Sequence, residues 1–274
     1  MTPRVLIADS LSAAALEVFD RRGVAADLKV GLSKDELLAA IGDYDGLAVR
    51  SATKANGEMI AAARRLKVIG RAGIGVDNID VAAATAAGVV VMNTPFGNSI
   101  TTAEHAIAMM FALARQLPAA DASTQAGKWE KNRFMGAELY AKTLGIIGAG
   151  NIGSIVADRA NGLKMKVIAF DPFLSPERAV ELGIEKVELD ELLARADVIS
   201  LHTPLTDKTR NILSAEALAA TRKGVLIVNC ARGGLVDEAA LRHGLDAGRI
   251  GGAAFDVFVE EPATANVLFG APNF

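Results

Sequence analysis

The sequence predicts an α/β fold of parallel sheets with helices on both faces, divided into two domains. Three observations predict it. Short apolar runs alternate with stretches whose apolar residues recur at helical spacing along most of the 274 residues. A cluster of turn formers, Asn93-Thr94-Pro95-Phe96-Gly97-Asn98, interrupts that rhythm. A glycine loop, Gly148-Ala149-Gly150-Asn151-Ile152-Gly153, lies without a gap between one such run and one such stretch.

In chain order, residues 5–8, 26–30, 47–49, 68–70 and 89–92 read as strands, and residues 11–21, 34–41, 57–63 and 79–87 read as helices between them. This is a small doubly wound sheet, flavodoxin-like in architecture, with no phosphate-binding glycine motif of its own. It forms a first domain over 1–97 and leaves 98–274 for a second. Thr101-Thr102-Ala103-Glu104 carries a capping-box signature, and Ile100, Ala103, Ile107, Met110, Phe111 and Ala114 recur at helical spacing until Pro118 stops the run. That stripe reads as core or subunit contact, and His105 within it as a packed helical histidine. Gly127-Lys128-Trp129, with the single tryptophan, reads as a surface excursion suited to a dimer contact.

Leu144 to Ile147 is short, apolar and partly β-branched, as a buried parallel strand requires. In the loop after it, Gly148 permits the tight turn, Gly150 lets backbone approach a pyrophosphate, and Gly153 lets helix and strand pack closely. Ile152, Ile155, Val156, Ala160 and Leu163 then define one helical face, so the positive end of a helix meets the phosphates without help from a basic side chain. A second apolar strand over 165–170 ends in Asp171, at the spacing expected for an acid on the ribose hydroxyls. A carboxylate there selects NAD, since it would repel a 2′-phosphate and Pro172 and Phe173 offer no cation to receive one. Further strands over 198–201, 225–229 and 252–255, with helices near 190–195, 215–220 and 238–247, extend this Rossmann sheet. Ligands bind outside the carboxyl ends of such strands, so His202-Thr203-Pro204, Cys230-Ala231-Arg232 and Asp256 should share one crevice.

Composition narrows the function classes. With 22% charged residues, a net charge of −3 and scattered Lys and Arg, the chain lacks the basic footprint of a nucleic-acid binder. No apolar run reaches the length of a membrane span, and the N-terminus does not resemble a signal peptide, so a cytoplasmic location is expected. One cysteine, Cys230, excludes an intrachain disulfide, and His105, His202 and His243 follow no recognised metal-ligand spacing. No metal is expected.

Gly70-Arg-Ala-Gly-Ile-Gly-Val-Asp-Asn-Ile-Asp80, Asn93-Thr-Pro-Phe-Gly-Asn98, His202-Thr-Pro-Leu-Thr206, Asn229-Cys-Ala-Arg-Gly-Gly234 and Phe255-Asp-Val-Phe-Val-Glu-Glu-Pro262 stand in order along the chain. On these segments the chain resembles the D-isomer-specific 2-hydroxyacid dehydrogenases over essentially its whole length. The wording of 229–234 and of Lys128-Trp-Glu-Lys-Asn-Arg-Phe-Met-Gly136 is similar to the branch that acts on a phosphorylated three-carbon acid. The resemblance implies NAD-linked oxidation at C2 of 3-phospho-D-glycerate to 3-phosphohydroxypyruvate, the first step towards serine.

It further implies Arg232 as the catalytic arginine, whose planar fork suits a carboxylate together with the C2 oxygen, and Glu261 as the acidic partner of a catalytic histidine. It puts Gly148, Gly150, Asn151, Ile152 and Gly153 at the pyrophosphate and Asp171 at the ribose. Thr203 falls along the adenosine side with His202 beside it, Cys230 and Asp256 near the nicotinamide, and Ile74 at another NAD-contacting position. Arg50, Lys54 and Arg71 follow strand ends of the first domain, where they are candidates for the substrate phosphate. The family's histidine, in a Pro-His-Leu-Gly type segment roughly eighteen residues beyond the glutamate, lies past Phe274, so a C-terminally truncated chain is expected, short of the segment that completes the first domain. A glyoxylate or hydroxypyruvate reductase, or a non-catalytic NAD-sensing corepressor-type protein, are the competing readings.

Overall fold

The computed structural model describes residues 2–274 and divides the chain into two compact units, Met1–Asn98 and Ser99–Phe274. The first unit runs β1 (Arg4–Ile7), α1 (Ala13–Arg21), β2 (Ala25–Leu28), α2 (Lys34–Ile41), β3 (Gly46–Val49), α3 (Gly57–Ala62), β4 (Val68–Arg71), α4 (Val81–Ala86) and β5 (Val90–Asn93). All its strand pairs are parallel, in the order β2-β1-β3-β4-β5. That is the flavodoxin-like order, in which the winding reverses between β1 and β3 and opens a crevice there. The strands are short because each crosses a thin core of Leu6, Leu47, Val49 and Ile69, closed from the helices by Leu37, Ile41, Met59 and Ile60. Local chemistry sets the helix starts. Ser33 and Glu36 form a reciprocal capping box on α2, and Asn56 caps α3 through the Met59 amide at 3.0 Å.

The second unit runs α5 (Ser99–Arg115), α6 (Leu117–Gln125), β6 (Thr143–Ile147), α7 (Asn151–Gly162), β7 (Lys166–Phe170), α8 (Pro176–Glu181), β8 (Glu185–Lys186), α9 (Leu189–Arg195), β9 (Val198–Leu201), α10 (Ala215–Ala220), β10 (Val225–Asn229), α11 (Glu238–Asp246) and β11 (Ile250–Phe255). Its six strands lie in the order β11-β10-β9-β6-β7-β8, wholly parallel. This is the Rossmann order, with the switch point between β6 and β9. The two-residue period of the strands sorts the core. Leu144, Ile146 and Val198 face α5 and α7 through Ala106, Met110, Val156 and Ala160, while Ile147, Ile199 and Leu201 face α9, α10 and α11 through Leu192, Leu218 and Leu241.

Several expectations along this unit require correction. α5 begins at Ser99, so Thr101 and Thr102 already lie inside the helix and cannot form the expected capping box; Ile100, counted in its apolar stripe, is exposed. Pro118 does not simply end the run. Gln116 adopts a left-handed conformation at φ 52°, and Pro118 then occupies the first turn of α6, where a missing N–H costs nothing. The short elements α8 and β8 carry too few residues to show a period and were not expected.

Candidate functional site

Parallel register brings the crevice residues into one row. Ile147 is level with Phe170 on one side and Leu201 on the other, Leu201 with Asn229, and Asn229 with Phe255. The next residue on each of the five strands is therefore Gly148, Asp171, His202, Cys230 and Asp256, all at the carboxyl edge. Backbone hydrogen bonds hold that row, from Gly148 N to Phe170 O, His202 N to Ile147 O and Asp256 N to Asn229 O.

The glycine loop closes on this row by contact. Gly148, at φ 95°, lies against the backbone of His202 and Thr203, where a Cβ would come within 2.7 Å of the His202 carbonyl oxygen. A Cβ on Gly153 would overlap the carbonyl oxygen of Gly148. Gly150 is different: nothing lies within 4 Å of where its Cβ would stand. Its missing side chain serves no contact within the chain and leaves open the face at the start of α7. The helix ladder begins only with Ser154 N–H to Gly150 O, so the amides of Ile152 and Gly153 precede it, as an anion site at a helix N-terminus requires. Half-buried Asp171 closes the other side. Its Oδ2 accepts from Ala149 N at 2.8 Å and its Oδ1 from Phe173 N at 2.8 Å, which fixes the carboxylate and leaves lone pairs for sugar hydroxyls. These features fit a dinucleotide.

His202 is half-buried as a residue, yet its Nδ1 is enclosed without a partner and its Nε2 meets Ser200 Oγ at 2.8 Å. Burial pushes its pKa down to about 4, so the ring is neutral at physiological pH and poorly placed to carry protons. Burial, assisted by the charge of Asp256, pushes the Cys230 thiol up to about 12; this is an inert sulfhydryl whose Sγ rests 3.4 Å from Met109 Sδ. His105, expected to be packed, is instead exposed: it lies one helical turn before Met109, and its Nε2 stands 3.7 Å from Asp256 Oδ1.

Arg232 follows β10 in a loop that Asn229 builds. The buried Asn229 side chain donates to Arg232 O at 2.9 Å and accepts from Ala231 N at 3.1 Å, converting a strand end into a fixed turn. Arg232 is half-buried, with Nη1 donating to Ala231 O at 2.6 Å. Gly233 then runs against the backbone of Phe258 and Val259, with no room for a Cβ, which brings the Arg232 loop onto the segment carrying Glu261. The exposed Glu261 carboxylate accepts from Phe258 N at 3.1 Å. Sequence reasoning missed Asn229 and Gly233. Asn229 is legible only as a polar residue closing an apolar strand, and Gly233 as the first glycine after the arginine.

In the first unit the three candidate cations have different settings. Arg50 and Lys54 are exposed and line a cavity of about 550 Å³ beside β1 and β3. Their loop is fastened by buried Asp9, whose carboxylate accepts from Arg50 N at 2.6 Å, Thr53 N at 3.2 Å and Thr53 Oγ1 at 2.7 Å. Arg71 is buried, lies against Gly73, and donates to Asn78 Oδ1 at 3.1 Å, outside that cavity. Ile74 sits in the loop after β4, its carbonyl held by Asn93 Nδ2 at 2.6 Å.

Residues 107–274 match the family described as D-isomer specific 2-hydroxyacid dehydrogenase, NAD binding domain. The chain is 48% identical over 259 residues to the D-3-phosphoglycerate dehydrogenase of Archaeoglobus fulgidus, covering 94% of this chain and 49% of that protein. A glyoxylate reductase from Paecilomyes thermophila has a similar structure, with a TM-score of 0.90 and 34% identity over 99% of this chain and 86% of that one. A D-lactate dehydrogenase from Aquifex aeolicus, complexed with NAD and lactic acid, has a TM-score of 0.85 and 28% identity over 93% of this chain and 77% of its own. The chain spans about half the length of the curated relatives it matches.

Proposed function

The chain belongs to the D-isomer specific 2-hydroxyacid dehydrogenases and carries their NAD-binding domain, and from that premise we propose that the whole protein oxidises 3-phospho-D-glycerate to 3-phosphohydroxypyruvate with NAD. The observation that carries the reading is the row Gly148, Asp171, His202, Cys230 and Asp256, with Arg232 held two residues beyond it by Asn229. A bound nicotinamide would supply the acceptor for the hydride from C2. Arg232 supplies the bidentate donor set for the substrate carboxylate and the C2 oxygen, fixing that carbon in orientation. Glu261, on the segment packed against the arginine loop, would orient the imidazole that removes the hydroxyl proton. Asn151, Ile152 and Thr203 would line the dinucleotide beside the glycines and Asp171.

Arg50 and Lys54 support a phosphorylated substrate, since two cations at a cavity built by a buried carboxylate suit a dianion better than a neutral hydroxyl. Arg71, buried against Asn78, has the weaker claim on that role and acts through the shape of its loop. The exposed Trp129, Met135 and Tyr140, close together in the segment after α6, support a homodimer, and the single buried thiol suits the cytoplasm.

The test is a panel of 2-hydroxy acids with NAD on the intact gene product. Selective turnover of 3-phosphoglycerate is expected. Preference for glyoxylate or hydroxypyruvate would assign it instead to a sister activity, and cofactor binding without turnover on any acid would overturn the enzyme reading.

A further inference from the structure

We propose that His105 is a positioning residue for Asp256 and sets, through that carboxylate, how strongly the site distinguishes oxidised from reduced nicotinamide. The inference rests on the cofactor reading above and goes beyond it, because the residues invoked there leave His105 without a role. Its geometry is specific. His105 and Met109 share one face of α5, and Met109 Sδ lies 3.4 Å from Cys230 Sγ at the end of β10. One turn earlier, His105 Nε2 lies 3.7 Å from Asp256 Oδ1 at the end of β11. That separation exceeds a hydrogen bond and is an ion-pair distance when the ring is protonated.

The other charged and titratable groups around the pair are few. From β10 the neighbouring titratable group is Cys230, whose thiol stays neutral at physiological pH, and Arg232 follows two residues later. α7 meets this side of the sheet through Val156, Ala157 and Ala160, which carry none. Glu104 adjoins His105 on α5 itself and is exposed. His202, enclosed and neutral, does not change charge above pH 5.

An oxidised nicotinamide ring carries a positive charge and a reduced one does not. The Asp256 carboxylate at the nicotinamide end therefore favours the oxidised form, and a protonated His105 beside it offsets that preference. Histidine changes charge within the physiological range, so the ratio of NAD⁺ to NADH affinity should fall as pH is lowered. Both side chains are about half exposed, at 47% and 59%, which keeps the effect to that of a screened pair, roughly two- to fivefold.

The experiment is calorimetric titration of the full chain with NAD⁺ and with NADH at intervals from pH 5.5 to 8.5, for the wild type, His105→Gln, His105→Lys and Asp256→Asn. In the wild type the affinity ratio should rise about two- to fivefold across the range. His105→Gln should hold it near the high-pH value, His105→Lys near the low-pH value, and Asp256→Asn should flatten it. Opposite displacements by two substitutions at an exposed site are not what lost packing produces. A wild-type ratio that ignores pH, or a His105→Gln protein that tracks the wild type, would overturn the proposal while leaving the cofactor assignment intact. Failure of every variant and the wild type to bind either nucleotide would overturn the cofactor reading itself, and this inference with it.

Discussion

At the scale of single residues, Asp171 has two duties. Its carboxylate faces the expected ribose position, and it also accepts from the amides of Ala149 and Phe173, tying the glycine loop to the turn after β7. Asp171→Ala should therefore do more than narrow the gap between NAD and NADP. Removing a charged acceptor should cost roughly 1.5 to 3 kcal/mol of NAD affinity, with Asp171→Asn falling between the two, and titration of both cofactors against the three proteins checks this. Unchanged NAD affinity in the alanine variant would show that the loop does not need the carboxylate. His202 gives a second expectation. Its folded pKa of about 4 lies below the ordinary 6.5. The unfolded chain therefore takes up the proton first, and stability present above pH 6.5 is lost as pH falls towards 4. The full loss is about 3 kcal/mol. Urea unfolding of wild type and His202→Gln between pH 7.5 and 4.5 should show the wild type losing more stability on acidification. The place of Asp171 at the end of β7 was legible in the sequence because an acid closing an apolar run shows as a pattern, whereas Arg232 was singled out by the family resemblance. The two amides that hold Asp171 were not legible, since every residue but proline has one.

At the scale of elements, the strand ends were readable and the contacts between loops were not. The strands 198–201 and 225–229 fall where short apolar runs put them, because parallel strands buried on both faces are apolar nearly throughout. The meeting of Gly233 with Phe258 and Val259 depends on how far two loops travel after leaving the sheet, which no local period encodes. The same reason hid His105: a helical face is predictable, but what lies across from it is set by the neighbouring strand order. Gly233→Ala should push the Arg232 loop away from the Glu261 segment, with the 1 to 3 kcal/mol cost typical of overpacking. Turnover by the intact gene product should fall more than NAD affinity, because Gly148, Gly150 and Asp171 are untouched. Equal losses of both would mean that the substitution merely loosens the whole unit.

At the scale of the molecule, the two units each close a hydrophobic core of their own, one around Leu47 and Ile69, the other on both faces of β6 and β9. The glycine loop, Asp171, His202, Thr203, Cys230 and Asp256 all lie in the second unit. Residues 99–274 expressed alone should therefore fold cooperatively and bind NAD within about tenfold of the longer chain, a difference of about 1.4 kcal/mol or less. Thermal unfolding followed with and without NAD tests this, and a fragment that melts without stabilisation by cofactor would refute it. The exposed Trp129, Met135 and Tyr140 should belong to the subunit contact, so Trp129→Glu should shift the sedimentation of the protein towards monomer while leaving NAD affinity in place.

The level ending of β6, β7, β9, β10 and β11 restricts how such a protein can diverge. Adding or deleting one residue within the regularly paired part of any of these strands would turn its last side chain to the opposite face and withdraw it from the crevice. Insertions and deletions are absorbed beyond the edge, where Arg232 and Glu261 lie on loops, or at a register shift such as the one that leaves Gly251 of β11 unmatched between the partners of Val225 and Leu226. Descendants of this architecture should therefore vary in loop length and in the identity of the edge residues, while the number of residues between a strand's last register shift and the crevice edge stays constant.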